Sequence, residues 1–192
     1  MDYSEVSINK KSFMLIIEQK VLIDWSAMMD RRKRKTQKVI TSVFYQLLKK
    51  KSYEDLSVSL ICQTVDINRG TFYLHFIDKD DLLEKSIAYE MQKLFEYCDR
   101  NEETSNQRKL EKTFEYVTAN RDHLQRLFRA DKQGFFASFQ INYLMEQMTD
   151  QSPMTSVFFA HGLVGLLEYY LTNDVSEVEV SQELEKITHS FR

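Results

Sequence analysis

The chain is poor in the residues that make tight turns, with only four glycines and one proline among 192 residues. A protein built of many short strands needs such residues, so their scarcity favours helices joined by short polar loops. The length and a hydrophobic content of 43% allow one large domain or two small ones around a buried core. We therefore expect an all-α protein.

Cysteine is also scarce. Cys62 and Cys98 both occupy apolar positions of predicted helices, which favours two buried free thiols over a disulfide or a metal pair. A reducing, cytoplasmic setting fits this usage. Because the sequence shows no metal-ligand spacing, nucleophile motif or glycine-rich phosphate loop, we expect no cofactor and no metal, and an enzyme is the weakest function class.

Long apolar runs are missing from the first thirty residues. Residues 13–17 and 21–23 are apolar, but Glu18, Lys20 and Asp24 interrupt them, so we expect no membrane anchor. The basic start and small-residue cleavage site of a secretory signal are missing too. We interpret residues 1–30 as a leader or an extra amphipathic helix. A sharper hypothesis is that translation normally begins at Met28 or Met29.

Charge is distributed unevenly. Residues 31–51 contain nine Lys/Arg and no Asp/Glu, whereas residues 87–192 contain eleven basic and seventeen acidic residues. A charge run is usually only a solvated face. Beside a nucleic-acid-binding motif, however, the basic end suits a polyanion.

Apolar spacing predicts four helices in the N-terminal part. The first covers about residues 33–50, with a stripe of Val39, Ile40, Val43, Phe44, Leu47 and Leu48. The second covers 57–65, capped by Ser57, with a stripe of Val58, Ile61, Cys62 and Val65. The third and fourth begin at Asn68 and Asp78, and each cap is flanked by the two apolar positions of a hydrophobic staple, Ile67 with Phe72 and Ile77 with Leu82. The fourth helix then carries a buried stripe of Leu83, Ile87, Met91, Leu94 and Cys98.

Two short helices joined by a tight turn, the second polar on one face, form a helix-turn-helix, which indicates binding to double-stranded DNA. The sequences RGTFYLHF (69–76) and DKDDLL (78–83) resemble the N-terminal domain of the TetR family of bacterial transcription regulators. Two positions depart from the usual family pattern, since Ser52 and Asp66 stand where glycine is common. Asp tolerates left-handed backbone angles better than most residues. The resemblance implies a three-helix DNA-binding head over 31–94 with its helix-turn-helix at about 57–76, linked by the fourth helix to a helical bundle.

The resemblance also implies roles for nine residues. Arg69, Thr71 and Leu74 would face the major groove, and Gly70 would let the backbone approach the DNA. The residues expected at phosphates are Ser57, Ser59, Tyr73, His75 and Lys79. Three of these have plainer alternatives, because Ser57 could only cap its helix, His75 could only stack in the core and Lys79 could only be solvated.

From about residue 107 the sequence predicts five more helices, about nine in all. Asn120 and Ser152 are predicted caps, Pro153 suits a first helical position, and Ser176 with Glu179 forms a capping box that opens the last helix. Gly134 interrupts the pattern. The resemblance to the TetR family implies that residues 95–192 form a ligand-binding and dimerisation domain.

Residues 161–170 resemble the C-terminal domain of a large TetR subgroup, which implies a homodimer. Gly162 and Gly165 leave a shallow spot where a second helix can approach. The predicted dimerisation residues are Gly162, Leu163, Gly165, Leu166, Tyr170, Leu184 and Ile187. Two paired heads would lie roughly 34 to 36 Å apart and recognise a near-palindrome.

An aromatic set in this region could line a pocket for a small apolar or aromatic effector, although such a set is more often simply core. It comprises Phe114, Phe135, Phe136, Phe139, Tyr143, Phe158 and Phe159, with His161 as a polar point nearby. The favoured interpretation is a homodimeric repressor that a small molecule releases from its operator. The alternative is a DNA-binding protein of the same fold without such a ligand, acting architecturally or through a protein partner.

Overall fold

The computed structural model describes residues 31–99, 106–148, 151–173, 175, 176, 178, 179, 182, 183 and 186. Across these ranges it contains eight helices and no strand, which confirms the all-α prediction. They are α1 Arg31–Leu48, α2 Val58–Val65, α3 Arg69–Tyr73, α4 Lys79–Asp99, α5 Asn106–Ala119, α6 Arg121–Ala130, α7 Phe135–Gln147 and α8 Pro153–Thr172. The leader at 1–30 and the predicted dimerisation residues Leu184 and Ile187 lie outside the described residues.

Contacts divide the described chain into two compact units. The head comprises residues 31–51 and 55–85, and the body comprises 52–54 and the chain from 86 onward. The division falls inside α4, whereas the domain boundary predicted at residue 94 lies further along that helix.

The core of the head is built from α1, α2 and the start of α4. Ile40, Phe44 and Ile61 are fully buried, and Leu82 joins them from α4. The predicted stripe of α1 was wrong at one edge, because Val39 is exposed while Gln37 and Thr41 are buried. The buried face of α1 therefore includes two polar residues, which a prediction based on hydrophobic residues alone could not identify.

Helix ends in the body are fixed by local hydrogen bonds. Ser152 accepts from Thr155 N at 3.2 Å and Pro153 begins α8, as predicted. Gly134, just before α7, has a positive φ of 74°. The first two N–H groups of α7, at Phe135 and Phe136, donate to the Asp131 carboxylate at 3.1 and 2.8 Å. The predicted Asn120 cap was wrong in its chemistry, because its side-chain amide donates to Tyr116 O instead.

The capping box of the last segment is present, since Ser176 N donates to Glu179 Oε2 at 2.9 Å and Glu179 N donates to Ser176 Oγ at 3.2 Å. Cys62 and Cys98 are buried free thiols, as predicted. Within the described ranges, no helix has both the length and the apolar character needed to cross a bilayer.

Candidate nucleic-acid interface

The turn between α2 and α3 sets the direction of the helix-turn-helix. Asp66 adopts φ 61° and ψ 50°, a left-handed conformation. Its N–H donates to Gln63 O, and Ile67 N donates to Cys62 O at 3.0 Å, which is the Schellman pattern that ends a helix. Asp66 therefore takes the left-handed backbone conformation that glycine commonly takes, and the tolerance of Asp for such angles makes this possible.

Asn68 caps α3. Its Oδ1 accepts from Thr71 N at 2.8 Å and from the Thr71 hydroxyl at 3.1 Å. An α-helix of five residues has little intrinsic stability, so its cap and its packing must hold it in place. The Thr71 hydroxyl proton is engaged inside the segment, which leaves the methyl group of Thr71 as its part best suited to contact a base.

Two buried phenylalanines anchor this stretch, which we call the recognition segment (residues 68–77). Phe72 and Phe76 are 0% and 1% exposed, with ring centroids 5.5 Å apart. Helical-type hydrogen bonds continue to Phe76, whose N–H donates to Phe72 O at 3.0 Å. The anchors hold one side of the segment against the head and leave its other side in solvent.

The exposed side carries most of the residues predicted to meet bases and phosphates. Arg69, Gly70, Tyr73 and Leu74 are exposed, and Thr71 is half-buried. Gly70 also has a local role, because a Cβ atom there would lie 3.2 Å from Asn68 Oδ1 and press on the cap. The structure thus brings these five predicted residues together on one short stretch.

The residues predicted to contact phosphates differ in the hydrogen bonds that they already make within the head. Ser57 caps α2 by accepting from Leu60 N at 3.1 Å, and Ser59 is exposed beside it. Lys79 is half-buried and donates from Nζ to Leu56 O at 2.9 Å. Ser57 and Lys79 therefore have structural roles within the head, and any phosphate contact would use their remaining hydrogen-bonding capacity.

His75 is half-buried, and its Nδ1 has no hydrogen-bond partner within the described part of the chain. Burial, together with the charges of Lys33 and Lys85, lowers the pKa of His75. A neutral imidazole carries one N–H, so His75 would meet a phosphate as a neutral donor.

The start of α1 is unusually basic for a helix N-terminus. Lys33, Arg34 and Lys35 are exposed, and the first turn contains no acidic residue. Cations there oppose the helix dipole, which costs a few tenths of a kcal/mol to about 1 kcal/mol each. A polyanion at this end would offset that cost.

The predicted aromatic set is not gathered in one place. Phe136 is buried and packs edge-on against Phe128 at 5.5 Å. Tyr143 stacks on Phe95 at 3.9 Å and donates to Asp99 at 2.9 Å, and burial with that carboxylate raises the pKa of Tyr143. Phe135, Phe139 and Phe159 are half-buried, while Phe158 and His161 are exposed.

A cavity of about 120 Å³ does occur in the body, but only Phe114 of the aromatic set lines it. Its other lining residues are Leu166, Tyr169, Tyr170, Val175, Glu179 and Glu183. The wall is thus aromatic and aliphatic, with two carboxylates.

The predicted dimerisation residues divide into two groups. Gly162 and Gly165 are exposed, with open space beyond each Cα, and Leu163 and Leu166 are half-buried. Tyr170 is 1% exposed, because it packs inside the body with its hydroxyl 3.1 Å from Thr118 Oγ1 and its ring under Arg121. A partner could reach Tyr170 only after a rearrangement.

The exposed face of α8 contains apolar residues that were not among the predicted dimerisation residues. One of them, Phe158, was predicted to line the effector pocket instead. Met154, Val157, Phe158 and Tyr169 are all exposed, and with Gly162 and Gly165 they recur at helical spacing. Periodicity does indicate that α8 has apolar residues on every side. It cannot show which side the rest of the body covers.

Comparisons with known proteins agree with this geometry. A family model described as bacterial regulatory proteins of the tetR family matches residues 40–85, which include the helix-turn-helix. The HTH-type dhaKLM operon transcriptional activator DhaS of Lactococcus lactis subsp. lactis (strain IL1403) is 31% identical over 118 residues. That match covers 60% of this chain and 62% of the relative, so it spans less than two thirds of the relative's length.

Two solved structures share the fold. A transcriptional regulator (TerR/AcrR family) from Aquifex aeolicus VF5 superposes with a TM-score of 0.60 at 18% identity, covering 82% of this chain and 99% of that chain. The dihydroxyacetone kinase operon activator DhaS superposes with a TM-score of 0.54 at 23% identity, covering 81% and 94%. With its capped and anchored helix-turn-helix, the segment at 40–85 is a DNA-binding domain of the tetR type of bacterial regulatory proteins, and the two superpositions show that the chain shares its fold with these solved structures.

Proposed function

We propose that this protein is a sequence-specific transcription regulator that binds a near-palindromic operator as a homodimer. One observation carries the proposal: the recognition segment is fixed by the Asn68 cap and by buried Phe72 and Phe76, so that Arg69 and Leu74 are exposed. An exposed guanidinium can fork onto guanine, and an exposed apolar side chain can contact a thymine methyl group.

The exposed face of α8 supports the homodimer. Phe158 and Met154 are 65% and 84% exposed, and the glycines between them and Tyr169 would let a second α8 approach closely. Apolar clusters of this kind are uncommon on monomers and usually mark interfaces. A second copy of the chain would supply a second DNA-binding head, and the twofold symmetry of the dimer would match a near-palindromic operator.

The regulatory sign is a separate part of the proposal. The family resemblance favours a repressor, whereas the relative from Lactococcus lactis is named as an operon activator. Both activation and repression begin with operator binding. A reporter gene downstream of the selected operator, measured with and without the protein, determines the sign.

The cavity in the body supports a small effector. Its volume of about 120 Å³ is comparable to an engineered apolar cavity of about 150 Å³ that binds benzene. Phe114 and Tyr170 in its wall suit an apolar or aromatic group. Release or capture of operator DNA on addition of small aromatic compounds would support this part, and a lack of response would favour the ligand-free alternative.

Selection of bound duplexes from a random pool tests the main proposal. We expect a near-palindrome whose half-sites are one helical turn apart, and salt-sensitive binding without sequence preference would contradict it.

The dimer is tested by Phe158→Glu, which should convert the protein to monomers in sedimentation experiments and weaken operator binding. Val39→Glu, at an exposed apolar position of α1, is the matched control and should leave the oligomeric state unchanged. A Phe158→Glu protein that remains dimeric would contradict the proposed seam.

A further inference from the structure

Apolar side chains are clustered at the end of the recognition segment. Tyr73, Leu74 and Ile77 are 52%, 75% and 78% exposed within five residues. Single exposed apolar side chains are normal on a protein surface, but a cluster calls for an explanation. Tyr73 and Leu74 already belong to the expected DNA contacts, whereas Ile77 does not.

No packing role of the Ile77 side chain accounts for an apolar residue at this exposed position. The sequence predicts a staple between Ile77 and Leu82, but that prediction was wrong, since Leu82 is fully buried while Ile77 is largely in solvent. The backbone of Ile77 is nevertheless fixed. Its N–H donates to Asp81 Oδ2 at 2.8 Å, and Asp81 N donates to Asp78 Oδ1 at 2.8 Å. An ordered backbone thus presents an aliphatic side chain to solvent.

The chemistry of this position selects its partner on DNA. The Ile77 side chain cannot donate or accept a hydrogen bond, so it cannot bind a phosphate oxygen. The next residue, Asp78, is acidic and would be repelled by a phosphate. Among the base edges of the major groove, the C5-methyl group of thymine is the apolar feature.

We propose that Ile77, together with Leu74, packs against thymine methyl groups and so acts as a further specificity-determining residue. This inference rests on the proposed operator binding. It adds Ile77 to the base-contacting side chains and requires a thymine near the position that Leu74 contacts in each half-site.

Single-methyl substitution in the DNA tests the inference. The full-length protein is titrated with its selected operator and with duplexes in which one thymine at a time is replaced by deoxyuridine, which lacks only the methyl group. Burial of one methyl is worth about a fourfold change in affinity. We expect one thymine per half-site whose replacement weakens binding about fourfold in the parent protein and has no effect in Ile77→Ala.

Two further variants make the result specific. Leu74→Ala should lose its sensitivity at a different thymine from Ile77→Ala. Val39→Ala, which truncates an exposed apolar side chain of the same head outside the recognition segment, should keep the parent profile. Thermal unfolding of each variant shows that the head remains folded, which the exposure of both positions leads us to expect.

The possible outcomes separate this inference from the proposed function. A palindrome that is selected and bound, but at which Ile77→Ala keeps every deoxyuridine effect or weakens all sequences equally, would overturn the inference alone. A protein that selects no DNA sequence would overturn the proposed function and the inference with it.

Discussion

Asn68 offers a test of whether the recognition segment depends on its cap. Asn68→Ala removes the oxygen that accepts from Thr71 N at 2.8 Å and from the Thr71 hydroxyl at 3.1 Å. Loss of such a cap costs about 1 kcal/mol of unfolding free energy. If the whole cost appears as fraying of the five-residue α3, operator affinity should fall about fivefold for each head, or about 30-fold for a dimer that binds through both heads, which is the upper limit of the effect.

Two other substitutions at this position separate capping from contact with DNA. Asn68→Ser keeps a capping oxygen, so we expect the unfolding free energy and the affinity to remain close to the parent values. Asn68→Asp also caps and gains from the positive end of the helix, which should preserve stability. Its carboxylate would face DNA phosphates, so its affinity should fall, and more so at low salt.

Urea unfolding followed by circular dichroism gives the stability, and fluorescence anisotropy of a labelled operator gives the affinity. A capping role alone is refuted if Asn68→Ser loses as much operator affinity as Asn68→Ala while keeping the parent stability, because Asn68 would then contact DNA itself. It is equally refuted if Asn68→Ala changes neither quantity.

Two further predictions concern the body. Burial would raise the pKa of Glu90, but hydrogen bonds from His123 and Lys93 outweigh it and hold that pKa below its ordinary value of 4.5. The stabilisation is therefore present above pH 4.5 and lost as the pH falls through the lowered pKa. Because hydrogen bonds to a charged group are worth about 2 kcal/mol, Glu90→Gln should cost about 2 kcal/mol of unfolding free energy at pH 7 and progressively less in acid, as urea unfolding at several pH values would measure. Arg121 donates to the carbonyls of Tyr170, Asn173 and Val175 at 2.7 to 3.0 Å, so Arg121→Ala should cost about 2 kcal/mol by the same assay, Arg121→Lys about half of that, and the control Arg126→Ala under about 0.5 kcal/mol. A Glu90→Gln deficit that does not shrink in acid, or an Arg121→Ala protein as stable as the control, would contradict these assignments.

The features that could be predicted from sequence are those set by neighbouring residues. The caps at Ser57, Asn68 and Ser152 depend on a side-chain oxygen and an N–H three residues later, so local chemistry specifies them. The left-handed conformation of Asp66 is compatible with its sequence, because Asp tolerates such backbone angles, but the sequence alone does not require it.

The features that could not be predicted depend on residues distant in the sequence. The Lys79 ammonium group donates to Leu56 O, 23 residues away, and nothing near Lys79 indicates that contact. Ile77 and Phe158 have the hydrophobicity of core residues, but the packing around them leaves both exposed. Periodicity indicates that a helix has an apolar side, whereas the tertiary neighbours decide which apolar side chains are covered.

The positions of the exposed apolar side chains bear on how the protein could select DNA. Apart from a few isolated side chains, the exposed large apolar residues in the described ranges fall into two clusters, one at the end of the recognition segment and one along α8. A bidentate base contact is worth about 1 to 3 kcal/mol of discrimination. Among the base-contacting residues proposed for one head, only Arg69 can make such a contact, whereas Thr71, Leu74 and Ile77 offer weaker apolar contacts. A single head therefore discriminates weakly between sequences. If α8 pairs two copies, the contacts are doubled on one operator, and the discrimination of the two heads combines. On this view the two clusters depend on each other, because the few residues that choose bases become selective only when the α8 seam brings two sets of them to the same DNA.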